Sequence, residues 1–501
     1  MDDNKQKLEE NQIPNDIGAG EESKPIFEAV TIDTNLQPEE VAPEVTIAAP
    51  EEVGQGGPQI PSDTPPMIYE ENKNKYFIII AGVVVFIVFL FILLKIFLGA
   101  KQTPKEISLT YWGLWEDKEI IQPLIDQYRQ KNPQIKIDYQ KMAPQDYRDK
   151  LLARSKDGRG PDMFRFHNTW LSEISELASP LPSSIMSSAE FEKTFYKIHQ
   201  TDLKVGSYYY GLPLEIDGLV LIYNDDLLKK SGIQTVPTTW DDITEMVPKL
   251  TTKDQKGQII SSGIAMGTTS NVEHFSDIFA LLLIQNGGNL AHLDQQEAAG
   301  ALEIYRKIAE QPNEYWNDSM PNSITAFIQE KVAMIIVPSW QASVIKTANP
   351  DLKFKVVSVP AGPDGSPISI ANYWIEGVSR YSKNQLEAWK FLKYLTEKEN
   401  MTKLYEIESR VRLFGEPYSR VDLAPLLAQN EYLAPVIKQA DHFVSVPMVG
   451  RTYDNGLNDG IIKYIENAIN AASSGVLYSE ALKPAKAGID QLFIQYQIKT
   501  K

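Results

Sequence analysis

Glu215 and Asp217, two acidic residues separated by one position in the run LEIDG, form a pair whose types and spacing could do chemistry. In an extended segment alternate residues share a side, so both carboxylates face the same way. Such a pair can accept hydrogen bonds from hydroxyls. It could also act as acid and base in glycoside hydrolysis, which needs carboxyl groups about 5 to 9.5 Å apart across the scissile bond. Hydrolase pairs normally converge from different elements, so hydrolysis is the minor reading. Nucleophile motifs are missing, with no G-x-S-x-G, no H-E-x-x-H and no P-loop. The histidines, at positions 167, 199, 274, 292 and 442, are scattered without metal-ligand spacing. Asn455, Asp459, Gly460 and Glu466 come nearest to a calcium loop, but Leu457 stands where an oxygen ligand is required. With no cysteine, thiol nucleophiles, Cys-ligated zinc, iron–sulfur clusters, disulfides and a lipid-modified N-terminal Cys are excluded. The expectation is a non-enzyme with no cofactor and no metal.

The elements that must position this pair follow from hydrophobic periodicity. ISLTY (Ile107 to Tyr111) reads as a strand, and Ile120, Ile121, Leu124, Ile125 and Tyr128 recur at helical spacing until Asn132-Pro133. IKIDY (Ile135 to Tyr139) is a second strand, Tyr147 to Arg154 a helix, Asp162 to Phe166 a third strand, with another helix from about Trp170. This βαβαβ run predicts a mostly parallel sheet with helices on both faces and a ligand beyond the carboxyl ends of its strands. Residues just after those strands are therefore candidates: Trp112, Gly113, Trp115 and Glu116 after the first, His167, Asn168 and Trp170 after the third.

Upstream the composition changes. The 501 residues carry a net charge of -17, which speaks against a nucleic-acid partner. Most of that charge lies in residues 1–75, where 17 Asp and Glu stand against 5 Lys. Nine prolines and only Phe27 and Tyr69 as aromatics leave this stretch too little apolar area to offset ordering entropy, which predicts a disordered acidic tail. YFIIIAGVVVFIVFLFILL, Tyr76 to Leu94, then runs nineteen positions without a charge, enough to span a ~30 Å hydrocarbon core. A retained anchor over residues 76–98 is expected rather than a cleaved signal peptide, since the run is long and far from the N-terminus. Flanking lysines, Lys73 and Lys75 before and Lys95, Lys101 and Lys105 at its end and after, do not orient it.

The body resembles a known family. LTYWG, PDMFRFHNTW, GLPLEIDGLVLIYNDDLLKKSGIQTVPTTWDDI, AFIQEKVAMIIVPSW (Ala326 to Trp340), VSVPAGPDG, SKNQLEAWKFLKYLT and SGVLYSEALKPAKAGIDQL occur in the order found in extracellular solute-binding proteins of bacterial ABC importers, the maltose and glycerol-phosphate type. The resemblance covers roughly residues 105–495. It departs at Gln329-Glu330, where the family often has Gly before the Lys, and in lacking the lipid-anchor Cys. It implies an α/β, two-lobed periplasmic-binding-protein fold (type II) with hinge strands. Lobe 1 would hold about 105–217 and 359–405, lobe 2 about 218–358 and 406–501, with crossings at LVLIYN (Leu219 to Asn224) and near Lys355 to Pro360. It also implies solute captured by lobe closure, delivery to ABC permease subunits, a monomer, and a binding domain outside the membrane with the tail cytoplasmic.

A sugar presents hydroxyls and apolar C–H faces, so its site needs aromatic platforms beside carboxylates, amides or Arg. Of eight Trp, Trp240 fits a helix start capped by Thr239 and Asp242, Trp389 fits an amphipathic core helix, and Trp316 has no usable context. Trp112, Trp115, Trp170, Trp340 and Trp374 remain cleft candidates against ordinary packing. By resemblance Trp340 stacks on sugar, and Asp217 stands where sugar-binding relatives place an acidic contact. Glu116 and Asn168 could accept hydroxyls, Tyr373 extends the aromatic supply, and Arg410, with Arg412 close by in SRVRLFG, could meet an acidic ligand. The expected function is capture of a small-molecule solute, a sugar or oligosaccharide. The alternatives are a ligand sensor of the same fold, reporting through its tail, and a glycoside hydrolase.

Overall fold

The computed structural model describes residues 74–99 and 105–498. The acidic tail expected over residues 1–75 lies outside the described residues, except for its last two, which open a helix at Asn74–Gly99. Within that helix Phe77–Lys95 has a mean hydropathy of 3.5, and none of it is buried. This helix belongs to one compact unit and the body to another.

The body opens with three strands, β1 (Ile107–Gly113), β2 (Ile135–Lys141) and β3 (Met163–His167). β1 runs parallel to both neighbours, as the βαβαβ pattern predicts. The intervening helix Lys118–Lys131 buries Ile120, Ile121, Leu124, Ile125 and Tyr128 on one face. It stops at Asn132, whose backbone N–H caps the carbonyls of Tyr128 and Arg129 before Pro133 forbids continuation. Next come the hairpin β4 (Lys204–Val205) and β5 (Tyr208–Tyr209) and the short strand β6 (Leu212–Pro213).

A second set follows: β7 (Leu219–Asn224), β8 (Thr252–Lys253), β9 (Ile259–Ile264), β10 (Val332–Pro338) and β11 (Phe354–Val357). Then come β12 (Ser369–Ile370), β13 (Trp374–Val378) and β14 (Phe443–Val444). The first sheet has the order β2-β1-β3-β13-β6 and the second β11-β7-β10-β9-β8. Because β13 pairs antiparallel with β3 and β6, and β10 antiparallel with β7, both sheets are mixed rather than mostly parallel. Every residue of β7 and β10 is buried, which is why LVLIYN and VAMIIVP read as unbroken apolar runs. The architecture is two-lobed and mixed α/β.

LVLIYN sits inside the second sheet, so the chain changes sheet just before it, over residues 214–218. It returns over residues 358–373, after β11, so the expected stretch Lys355 to Pro360 spans the end of β11 and the start of this passage. After helix Lys398–Glu408 a third passage leads to helices Leu457–Ser473 and Tyr478–Gln495, which pack on helix Gln296–Lys307. Parallel pairing of β12 with β14 ties the second passage to the third. Gly218 is where they crowd the first: a Cβ there would lie 2.5 Å from the Ile370 carbonyl oxygen and 2.4 Å from the Phe443 ring.

Candidate ligand-binding cleft

Where the three passages meet the strand ends, a cavity of ≈ 290 Å³ is lined by Trp115, His167, Glu215, Asp217, Trp340, Asn372, Trp374, Arg412, Glu416 and residues 450–453. Each side chain is delivered by a strand end or a passage. Trp115 follows β1, His167 ends β3, Trp374 opens β13 and Trp340 follows β10. Glu215 and Asp217 lie on the first passage, Asn372 on the second, and Arg412, Glu416 and 450–453 on the third.

Trp374 is the hub of the aromatic wall. Its ring meets Trp115 edge-on at 5.4 Å, Trp170 at 5.3 Å and His167 at 5.0 Å between centroids. Trp340 packs edge-on against His274 at 6.2 Å. Such T-shaped contacts set each indole at a defined angle. Trp115 stays 38% exposed, a large aromatic surface open to a ligand.

The carboxylates are buried beside this wall, and among the described residues neither makes an ion pair, although the Arg165 guanidinium acts on Glu215 from nearby. Glu215 Oε1 accepts from the Trp374 backbone N–H at 2.8 Å. Asp217 Oδ1 accepts from the backbone N–H of Gly218 at 2.7 Å and of Ser339 at 3.3 Å. Burial pushes Asp217 up to about 7, against the hydrogen bonds from Ser339 and Gly218. Burial, reinforced by Glu416, likewise raises Glu215 well above the usual carboxylate range. Both arginines are engaged: Arg412 by Glu408 at 2.9 Å and Glu416 at 2.7 Å, Arg451 by Glu273 at 2.6 Å. His167 is neutral, since burial holds it down at about 4, and its Nε2 lies 3.1 Å from Asn372 Oδ1.

The cavity thus gathers Trp115, Glu215, Asp217, Trp340 and Trp374 from the sequence candidates. The others lie elsewhere. β1 runs two residues further than the pattern suggested, so Trp112 is still within the strand and packs against Tyr147 at 6.4 Å. Trp170 is fully buried behind Trp374. Glu116 is buried in an ion pair with Arg165, whose Nε also binds Glu376 at 2.6 Å. Asn168 bonds Ser445 at 2.7 Å, and the Tyr373 hydroxyl donates to Asp202 at 2.6 Å, in a buried network behind the wall. Arg410 is exposed, and Arg412, two residues on, faces the cavity in its place, as does Arg451. His167, singled out in the sequence by its place at the end of the third strand, also lines the cavity. Asn372, Glu416 and 450–453 carried no such signal, because their places depend on how the passages fold back. Arg451 and Tyr453 reach the cavity through left-handed backbone, at φ of 64° and 54°, which no residue type there announces.

A model of the bacterial extracellular solute-binding protein family matches residues 123–411, more than half of the chain. A binding protein of Brucella abortus is 25% identical over 289 residues, 56% of this chain and 69% of its own length. The maltodextrin-binding protein MdxE of Bacillus subtilis is 26% identical over 276 residues, 51% of this chain and 61% of its own. The sugar-binding protein MalE of Xanthomonas citri superposes with a TM-score of 0.64 at 18% identity, covering 78% of this chain and 98% of that one. The matched stretch holds β7, β10 and the first two passages of the cleft, with Glu215, Asp217, Trp340, Asn372 and Trp374, and the chain belongs to the bacterial extracellular solute-binding protein family.

Proposed function

We propose that this protein captures a sugar or oligosaccharide in the interlobe cleft and delivers it to the membrane subunits of an ABC importer, held at the membrane by its own helix. The observation that carries the reading is the pairing of Trp115, Trp340 and Trp374 with Glu215 and Asp217 around one cavity. Indole faces suit the C–H faces of a sugar ring, and carboxylates accept from its hydroxyls. The maltodextrin and sugar ligands in the names of the relatives support this class. Ligand that touches both lobes only when they are shut draws the protein toward the closed form, the form that transport subunits would recognise. The family's extracellular placement supports a binding domain outside the membrane, with the residues before the helix inside.

The test is thermal unfolding of residues 105–501 against mono- and oligosaccharides, glycerol-phosphate esters and short peptides. A ligand at 100 times its dissociation constant adds about 2.7 kcal/mol. A shift from one sugar class, lost in Trp340→Ala and in Asp217→Ala, is the expected result. A shift from peptides alone would remove the carbohydrate reading, and cleavage of the sugar would replace binding with hydrolysis.

A further inference from the structure

The charges around the cleft do not balance. Glu215, Asp217 and Glu416 face the cavity together with Arg412 and Arg451. Both arginines are already held by carboxylates, Arg412 by Glu408 and Glu416, and Arg451 by Glu273. Arg165, beneath Glu215, is committed to Glu116 and Glu376. Among the described residues Glu215 and Asp217 make no ion pair, although they are only 4% and 3% exposed. What they accept comes from backbone amides, those of Trp374, Gly218 and Ser339. Keeping such a buried carboxylate ionised without a cation is costly, so it holds a proton unless a cation from outside pairs with it. Three indoles on the same cavity add a second preference for positive charge, because the face of Trp attracts a cation more strongly than that of Tyr or Phe.

From this juxtaposition of two unpaired buried carboxylates with a three-tryptophan wall, we infer that the cleft selects a carbohydrate bearing a protonated amine, an amino sugar, over its neutral counterparts. The inference rests on the carbohydrate reading above and narrows it. Around Asp217 stand the Gly218 and Ser339 amides and Glu416; around Glu215 stand the Trp374 amide, Glu416, Arg165 and Glu116. In that setting burial raises both carboxyls, so an ammonium that pairs with them expels protons as it binds.

The experiment compares glucosamine, galactosamine, mannosamine and a glucosamine disaccharide with their N-acetyl forms and the parent hexoses. The full chain is used in a sugar-free detergent, with affinity read by calorimetry. The expected result is at least tenfold tighter binding of one amine than of its acetylated and parent forms. Its heat at pH 6 should vary with the ionisation enthalpy of the buffer, reporting proton release. Glu215→Gln and Asp217→Asn should abolish that preference, bringing the amine's affinity down to no better than that of its parent sugar, with folding checked by circular dichroism. A parent or acetylated sugar bound as tightly as its amine would overturn the inference and leave carbohydrate capture standing. Silence from every sugar, with the chain folded, would remove both.

Discussion

The backbone amide of Trp374 donates to Glu215 Oε1 at 2.8 Å, so the aromatic wall of the cleft and one of its carboxylates are fixed to each other. Trp374 opens β13, whereas Glu215 lies on the first passage between sheets. The contact therefore registers the end of an interior strand, paired with β3 and β6, against a hinge segment. A ligand that stacks on the wall and bonds the carboxylate would engage two elements whose relative position sets the cleft.

The tryptophans should separate affinity from stability. Trp374 makes edge-on contacts with Trp115, Trp170 and His167, so Trp374→Ala is expected to cost about 3 kcal/mol of stability as well as tenfold or more in affinity. Trp115 is 38% exposed, so Trp115→Ala should lose comparable affinity with less than about 1 kcal/mol of stability. Urea unfolding and calorimetric titration of both variants decide this. An affinity unchanged in Trp115→Ala would mean that the indole faces solvent without touching ligand.

Asp217 gives a pH dependence whose sign can be worked out. Its folded value, about 7, lies above the ordinary aspartate value of 3.8. Below the lower value both states hold the proton, and the group contributes nothing. Between the two the unfolded chain releases it while the folded chain keeps it, so stability falls as pH rises, and the deficit is constant above about 7. At about 1.4 kcal/mol per unit the deficit reaches a few kcal/mol. Asp217→Asn removes it, so the ligand-free variant should gain on the parent from pH 4 to 7, with urea unfolding as the readout. A difference flat in pH would mean that Asp217 stays ionised in the fold.

Glu330 stands in a left-handed turn, at φ of 58°, between helix Ser323–Ile328 and β10. This is where the family often has Gly, and the reason is visible: the turn closes with the Lys331 N–H on the Ala326 carbonyl at 2.8 Å, which needs that backbone conformation. A side chain there costs on the order of 1 kcal/mol. Glu330→Gly should raise stability by about that amount and Glu330→Val lower it, both measured by thermal unfolding with the cleft untouched. Equal stabilities across Glu, Gly and Val would show that the turn relaxes to an ordinary conformation in solution.

The sequence made the strand-forming runs legible because their signals are local. Ile107, Ile135 and LVLIYN lie within strands, and the helix of Ile120 to Tyr128 stops at Asn132. Sheet composition was not legible, since β13 reaches β3 only after the chain has built the second lobe, and nothing local encodes that pairing. The same limit divided the site. Glu215 and Asp217 stood out because both lie in one short run. Trp112 and Trp170 matched Trp115 and Trp374 in type and differed only in where a strand ended and what packed behind it. The 450–453 stretch became a wall of the cavity because the third passage folds back, far from any motif.

The apolar helix carries the last prediction. On the insertion scale its Phe, Ile, Val and Leu residues between Phe77 and Leu94 each contribute about −0.3 to −0.6 kcal/mol, together roughly −5 to −10. One Asp at the helix centre opposes this by about 2.5 to 3.5 kcal/mol. Phe86→Asp should therefore remain in the membrane fraction after alkaline washing, whereas Phe86→Asp combined with Ile87→Asp brings the sum close to zero and should release much of the protein. Intact mass of the mature chain separates anchor from signal: an anchor keeps the helix and the residues that precede Asn74, and a processed signal loses both. Release of the single variant, or a mass lacking those residues, would replace the retained anchor with a marginal or cleaved segment.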